Sequence, residues 1–306
     1  MDLLVNILIG ITIAATPLVF AAIGELVAEK AGVLNLGVEG MMIIGAIAGF
    51  ATAIETGSFA LGILAAVAGS VIMALLFAVL TQTLLANQVA TGLAMTMFGL
   101  GLAALAGQSY SGKSLPEFPK LSIPILTDLP AIGPLLFGHD ILVYLSFALV
   151  VAVTWFLWRT RSGLILRAVG ENHDAAHAIG HPVIAVRYAA LMFGGACAGL
   201  GGAYLSIVQT PLWVENMTAG RGWIAVALVV FAAWRPWRAL LGAYVFGGIT
   251  VIQLHTQALG LEVAPQLLSM LPYLATIVVL VLISNDRTKT RLSAPANLGY
   301  TFFASA

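Results

Sequence analysis

RTRSGLILRAVGENHDAAHAIGHPVIAVR, residues 159–187, is a charged island in an oily chain. It holds four arginines, two acids and three histidines, and long apolar runs flank it on both sides. Charged side chains are costly in hydrocarbon. The segment must therefore project from a membrane, and the apolar runs beside it must cross one. Working outward from it, the 306 residues are 60% hydrophobic and 8% charged, against about 25% charged in soluble domains. Such a chain cannot cover a globule with polar surface, so the bilayer is its solvent.

Lipid-exposed backbone must bond within its own segment, which favours helices. Apolar runs predict an all-α polytopic bundle with helices near 3–23, 38–54, 60–85, 89–107, 140–158, 188–209, 222–234, 239–258 and 266–284. The count is about nine, within eight to ten, because 38–54 and 222–234 are short enough to be broken or re-entrant. The first run lacks a basic leader, carries Asp2 and approaches the ~20 residues of a span, so it reads as a helix rather than a secretion signal. Residues 1–284 form the membrane domain, and the polar tail 285–306 is assigned no fold. Gly45 with Gly49 and Gly195 with Gly199 are small-residue pairs that let helices approach closely. The single cysteine, Cys197, sits in such a run and reads as a packing residue.

Basic residues orient the bundle. With 159–187 in the cytoplasm, ten basic residues fall inside: Lys30, Arg159, Arg161, Arg167, Arg187, Arg235, Arg238, Arg287, Lys289 and Arg291. Three fall outside, Lys113, Lys120 and Arg221. This puts the N-terminus outside and the C-terminus in the cytoplasm. It also puts the 108–139 loop outside, where Pro116, Pro119, Pro124, Pro130 and Pro134 make it a shaped, non-helical lid or docking surface. The net charge is zero, so no basic field points to nucleic acid.

Gly107–Ser114 matches the phosphate-loop pattern G-x-x-x-x-G-K-[ST]. The pattern binds phosphate only between a strand and a helix N-terminus. A membrane helix precedes it here and prolines follow, so it is a decoy.

Within the island, Asn172 is placed to cap a short helix and Gly180 to stop it. Between them Ala175, Ala176 and Ile179 offer a small apolar face, and Asp174 suits the helix dipole. Such a helix fits a groove on a partner, or is simply solvated. His173, His177 and His181 are spaced by four, but Gly180 and Pro182 end the helix before the third can align. They read as interfacial or solvated histidines rather than a zinc site.

Residues 167–206, RAVGENHDAAHAIGHPVIAVRYAALMFGGACAGLGGAYLS, resemble the coupling loop and following helix of bacterial ABC import permeases of the ribose and branched-chain amino acid type. EKAGVLNLGVEGMMIIGA at 29–46, TGLAMTMFGLGLAALAG at 91–107, IPILTDLPAIGPLLF at 123–137 and MLPYLATIVVLVLIS at 270–284 resemble the nucleoside-uptake branch. The resemblance covers the chain to about residue 284. It implies a separate ATPase that consumes ATP, a second homologous permease in a heterodimer, and an extracytoplasmic substrate-binding lipoprotein. It also implies an inner-membrane location and no cofactor or metal on this chain. Gly170, Glu171, Asn172, Asp174, Ala175, Ala176, Ile179 and Gly180 become the expected motor-coupling residues. Some such permeases lack a helix of the ten-helix sugar permeases, and an outside N-terminus fits that departure.

For the path of a small-molecule substrate, polar groups in spans are candidates. Glu39 is a pathway carboxylate or a tight-turn acid bonding backbone amides. Asn35 beside it reads as a helix cap. Gln253 is the most central glutamine and is expected on the path, and Asn216 lies where incoming substrate would arrive. Trp213 reads as an interfacial belt residue. The turn Arg235-Pro-Trp-Arg238 anchors at headgroups or touches the ATPase. Mid-span positions read as nearly free of charge, which disfavours an ion-coupled transporter or channel. A membrane enzyme would need a clustered catalytic set, and neither HExxH nor GxSxG occurs.

Overall fold

The computed structural model describes residues 2–121, 132–258, 270, 274, 277 and 294–303. Among them the chain is helical: α1 (Asp2–Lys30), α2 (Val38–Thr56), α3 (Phe59–Ala78), α4 (Gln88–Gly107), α5 (Ile132–Phe137), α6 (Ile141–Arg159), α7 (Arg161–Glu171), α8 (His173–Ala178), α9 (Val183–Ala203), α10 (Arg221–Phe231) and α11 (Pro236–Ala258). Wide π-turns extend α3 through Val79–Thr83 and α9 through Tyr204–Gln209. Among the described residues, seven helices are long and apolar enough to cross a membrane. The expected span 266–284 lies almost wholly outside the described residues.

Helices α1, α2 and α9 form the centre, and α9 packs along α1, α2 and α3. Their contact depends on missing side chains. A Cβ on Gly45 would stand 2.7 Å from the Gly199 Cα, and one on Gly195 would stand 2.5 Å from Ala74 Cβ. The expected glycine pairs are thus seams where backbones touch, at the cost of weaker helix propensity. Hydroxyls tie the seams across helices. Ser70 donates to the Met41 carbonyl at 2.7 Å, and Ser206 to that of Ala46 at 2.8 Å. Cys197 is buried where a Cβ on Gly24 would meet it. On the outside, α3, α4 and α6 expose Leu64, Ile72, Met97, Leu105 and Trp155, which suits a bilayer.

Two expectations about the elements need correction. The first span runs to Lys30 rather than 23, so Glu25 and Glu29 belong to a helix and are buried. The 108–139 loop is not wholly non-helical, because Ile132–Phe137 forms α5. Proline in a helix's first turn forfeits no intrahelical bond, and Pro134 stands there. The rest of the described loop folds back on the body. Ser114 pairs with Leu212, Tyr110 meets the Phe50 ring edge-on, and Phe118 packs on Phe59. In the phosphate-loop look-alike, Lys113 lies over the Tyr110 ring, 4.8 Å from its centroid, and a helix rather than a strand precedes the motif.

Helix α10 has 11 residues, about 16 Å at 1.5 Å per residue. That is half of a ~30 Å hydrocarbon core. Its last turn ends beside α1's final turn, where Trp234 Nε1 donates to Glu29 at 2.6 Å. Its first turn therefore lies inside the body rather than at a membrane surface.

Candidate functional site

The island folds as two helices where one was expected. Thr160 caps α7, its hydroxyl accepting from Gly163 N at 3.0 Å. Gly163, Leu166, Val169 and Gly170 of α7 are buried. Gly170 lies so close to α1 that a Cβ would strike the Lys30 carbonyl. Asn172 then caps α8, accepting from Ala175 N at 2.9 Å. Gly180, at φ +91°, ends it. Gly180 N donates to His177 O at 2.8 Å and His181 N to Ala176 O at 3.0 Å, the paired bonds of a Schellman stop.

The expected apolar face of α8 is split. Ala176 is buried with Val169, Val183 and Phe302, whereas Ala175 and Ile179 point outward, Ile179 at 73% exposure. At 3.6 residues per turn, positions 173 and 176 share one side and 175 and 179 the opposite side. Of the eight expected coupling residues, Gly170 and Ala176 therefore face their own chain. Glu171, Asn172, Asp174, Ala175, Ile179 and Gly180 face out.

Beneath α8 lies a residue that the sequence reading placed in the loop. Arg187 is on α9 and wholly buried. Its Nε donates to Ala31 O at 3.3 Å, and its Nη1 donates to Gln82 Oε1 at 3.2 Å and to Tyr300 O at 3.0 Å. Its Nη2 meets His173 Nδ1 at 3.0 Å. One guanidinium thus joins the end of α1, the π-turn after α3, the island and the C-terminal tail. None of the four partners is a carboxylate.

The tail, assigned no fold from sequence, completes this joint. Asn297 N donates to Gly170 O at 2.9 Å, and Gly299 N to Gly32 O at 3.1 Å. Phe302 is buried with its ring against both His173 and His177, at centroid distances of 5.2 and 5.3 Å. Arginine has no acceptor, so His173 Nδ1 must present a lone pair to it. Burial, and then the Arg187 charge, hold the His173 pKa below its ordinary value, against a smaller upward pull from Asp174. The histidines therefore serve the joint. Among the described residues no group of three or more His, Cys, Asp or Glu side chains is arranged to hold a metal.

Of the two readings of Glu39, the geometry is that of the tight-turn acid. It is buried and accepts from Thr218 Oγ1 at 2.6 Å, Gly220 N at 2.8 Å and Gly222 N at 2.6 Å. The last two amides are orphan donors of α10, which makes Glu39 a carboxylate cap delivered from α2. Gly222 fits there because a Cβ would stand 2.5 Å from Glu39 Cα. Asn35 is not the helix cap expected. Its Oδ1 accepts from Gly37 N at 3.0 Å, and Gly37 takes the cap position. Its backbone N donates to Glu25 Oε1 at 3.0 Å. Glu25 and Glu29 were missed because the first span was ended too early. They remove the argument that the spans lack charge.

Asn216 is exposed in a left-handed turn at φ +56°, two residues before Thr218. Gln253 is half-buried near the end of α11. Val251, just below it, lies at the level of Gly10 on α1, so Gln253 is not central. Trp213 is buried against Gly107 rather than facing lipid as a belt residue.

A family model described as branched-chain amino acid transport system / permease component matches residues 7–282. A putative glucose ABC transporter permease protein of Haloferax volcanii is 42% identical, over 93% of each chain. A guanosine ABC transporter permease protein of Bacillus subtilis is 34% identical, over 87% of this chain and 88% of its own. A nucleoside ABC transporter permease protein of Lactococcus lactis is 31% identical, over 90% and 91%.

Proposed function

The chain belongs to the branched-chain amino acid transport system / permease component family, and on that premise we propose that it is the nucleoside-conducting permease of an ABC importer, driven through the joint around Arg187. In such a system ATP is hydrolysed by a partner ATPase and substrate is delivered by a binding protein. This chain is the non-catalytic body that opens and closes. We assign it a cell-membrane location with the N-terminus outside, a second homologous permease as its partner, and a lipoprotein as the binding protein.

The observation that carries the coupling reading is the two-sidedness of α8. Its outer face presents Asp174, Ala175, Ile179 and Gly180, with Ile179 left bare. Its inner face is bolted through His173 and Ala176 to α7, α9 and the tail. A motor that moves α8 moves the ends of α1 and α9 with it, since Arg187 holds both. A ligand or motor shifts an equilibrium only by binding its two states differently. A helix docked on the motor outside and fixed to the body inside supplies that difference.

The test is Ile179→Asp and Ala175→Asp. Both positions are exposed, so the permease folds and inserts normally while uptake and substrate-stimulated ATP hydrolysis fall at least tenfold. Normal uptake in both variants would remove the coupling assignment. Cargo is settled by uptake of labelled guanosine, adenosine and glucose in cells with and without the transporter. The 42% identity to a putative glucose permease favours a monosaccharide as the second reading. Loss of glucose uptake with nucleoside uptake intact would establish it.

A further inference from the structure

The geometry points to a binding site for an anionic phospholipid headgroup at the α6–α11 corner, on the end of the bundle that carries α7. It rests on the bilayer placement and not on the identity of the cargo.

A cleft of about 420 Å³ opens there, lined by Thr154, Trp158, Arg235, Pro236, Trp237 and Arg238. Arg235 and Arg238 are exposed at its mouth, and both indoles are about half exposed. A third guanidinium, Arg167 of α7, stacks on Trp158, 4.6 Å from the ring centroid. Its Nε is buried with no hydrogen-bond partner among the described residues. Lys30 feels the charges of both Arg167 and Arg235, together with those of Glu171 and Glu29. No acid lines the cleft itself among the described residues.

Three arginines around one indole match a phosphate in charge and shape, because the guanidinium fork bonds two oxygens at once. Two exposed indoles beside them fit the headgroup level, where one end of the ring is apolar and the other wet. On the face of α6 that carries Thr154 and Trp158, Phe147 and Val151 are exposed, and on α11 Leu241 and Val245 follow Trp237 at four-residue spacing and are exposed too. An apolar wall for an acyl chain therefore adjoins the basic cleft. A free phosphate has no use for that wall, which commits the site to lipid.

The experiment uses the assembled transporter in phosphatidylcholine nanodiscs. These carry a trace of photoactivatable phosphatidylglycerol or, in parallel, of photoactivatable phosphatidylcholine, and crosslinks are mapped by mass spectrometry. Phosphatidylglycerol is expected to label peptides containing Trp158 and Arg235–Arg238 several-fold more than phosphatidylcholine. Each arginine removed is expected to lower that labelling about fivefold, read in R235Q, R238Q and the double variant. Because both arginines are exposed the variants fold, and the wild-type comparison of the two lipids needs no variant. Equal labelling by the two lipids overturns the site, as does labelling unchanged in R235Q/R238Q. Labelling present in the isolated permease and abolished in the assembled transporter also overturns it, and gives the arginines to the motor.

Discussion

Glu39 and Arg187 are buried charges of opposite sign, and they are used in opposite ways. Glu39 takes three bonds from one short stretch, Thr218–Gly222, and closes the N-terminus of one half-length helix. Arg187 gives its bonds to four segments far apart in sequence. The first is a lock, fixing two elements to each other. The second is a joint, where the island and the tail meet the ends of two central helices. A lock can fail without uncoupling anything that remains folded. A joint can lose its coupling while the fold survives.

The comparison is broken most forcefully at the arginine itself. Arg187→Met leaves Gln82, His173 and two carbonyls without their donor, and each buried polar group left unsatisfied costs about 1–3 kcal/mol. Loss of the folded fraction on thermal denaturation of the detergent-solubilised chain measures it. Arg187→Lys, which keeps the charge but not the fork, is expected to fold and to transport poorly. Glu39→Gln comes next. The amide nitrogen would face a backbone N–H, at about 1–3 kcal/mol for the group left unsatisfied. The ratio of uptake to ATP hydrolysed by the surviving protein should be unchanged. A changed ratio would make Glu39 part of the path after all.

Phe302→Ala sharpens the distinction from the joint's side. It removes a ring packed on two histidines at the edge of the fold, at about 2–3 kcal/mol, below the 3–5 of a full core site. Here the ratio of uptake to ATP hydrolysed should fall. Asn172→Ala, which deletes a cap, costs about 1 kcal/mol and should lower the same ratio mildly.

The smallest effect is on pH. The His173 pKa lies below its ordinary value in the folded chain, so the unfolded chain takes up a proton first as pH falls through about 6.5. The joint's contribution is complete above that pH and is lost as pH drops toward the folded pKa. The difference in melting temperature between pH 7.5 and pH 5.5 should therefore shrink in His173→Gln.

The lock and the joint differ in how far each could be read from residues alone. The apolar runs marked the long helices because hydropathy registers at a distance of twenty residues. Asn172 and Gly180 marked both ends of α8 because capping is local chemistry. Glu39 was singled out, but its partners lie some 180 positions away, and nothing in NLGVEGMM names Thr218. Arg187 stands five residues into α9. A boundary drawn at 188 rather than 183 moved it into the loop and hid it. The same kind of error, on the first span, hid Glu25 and Glu29. The tail carries no periodicity, and its order comes from Gly32, Gly170 and Arg187, which receive it.

That last dependence has a consequence for how the molecule is made. Residues 294–303 leave the ribosome after every helix they touch, so Arg187 waits, short of one partner, until synthesis has passed Tyr300. A chain halted before that point would carry all the described helices and an open seat at Phe302. Synthesis of this segment is thereby written into the mechanical state of the product.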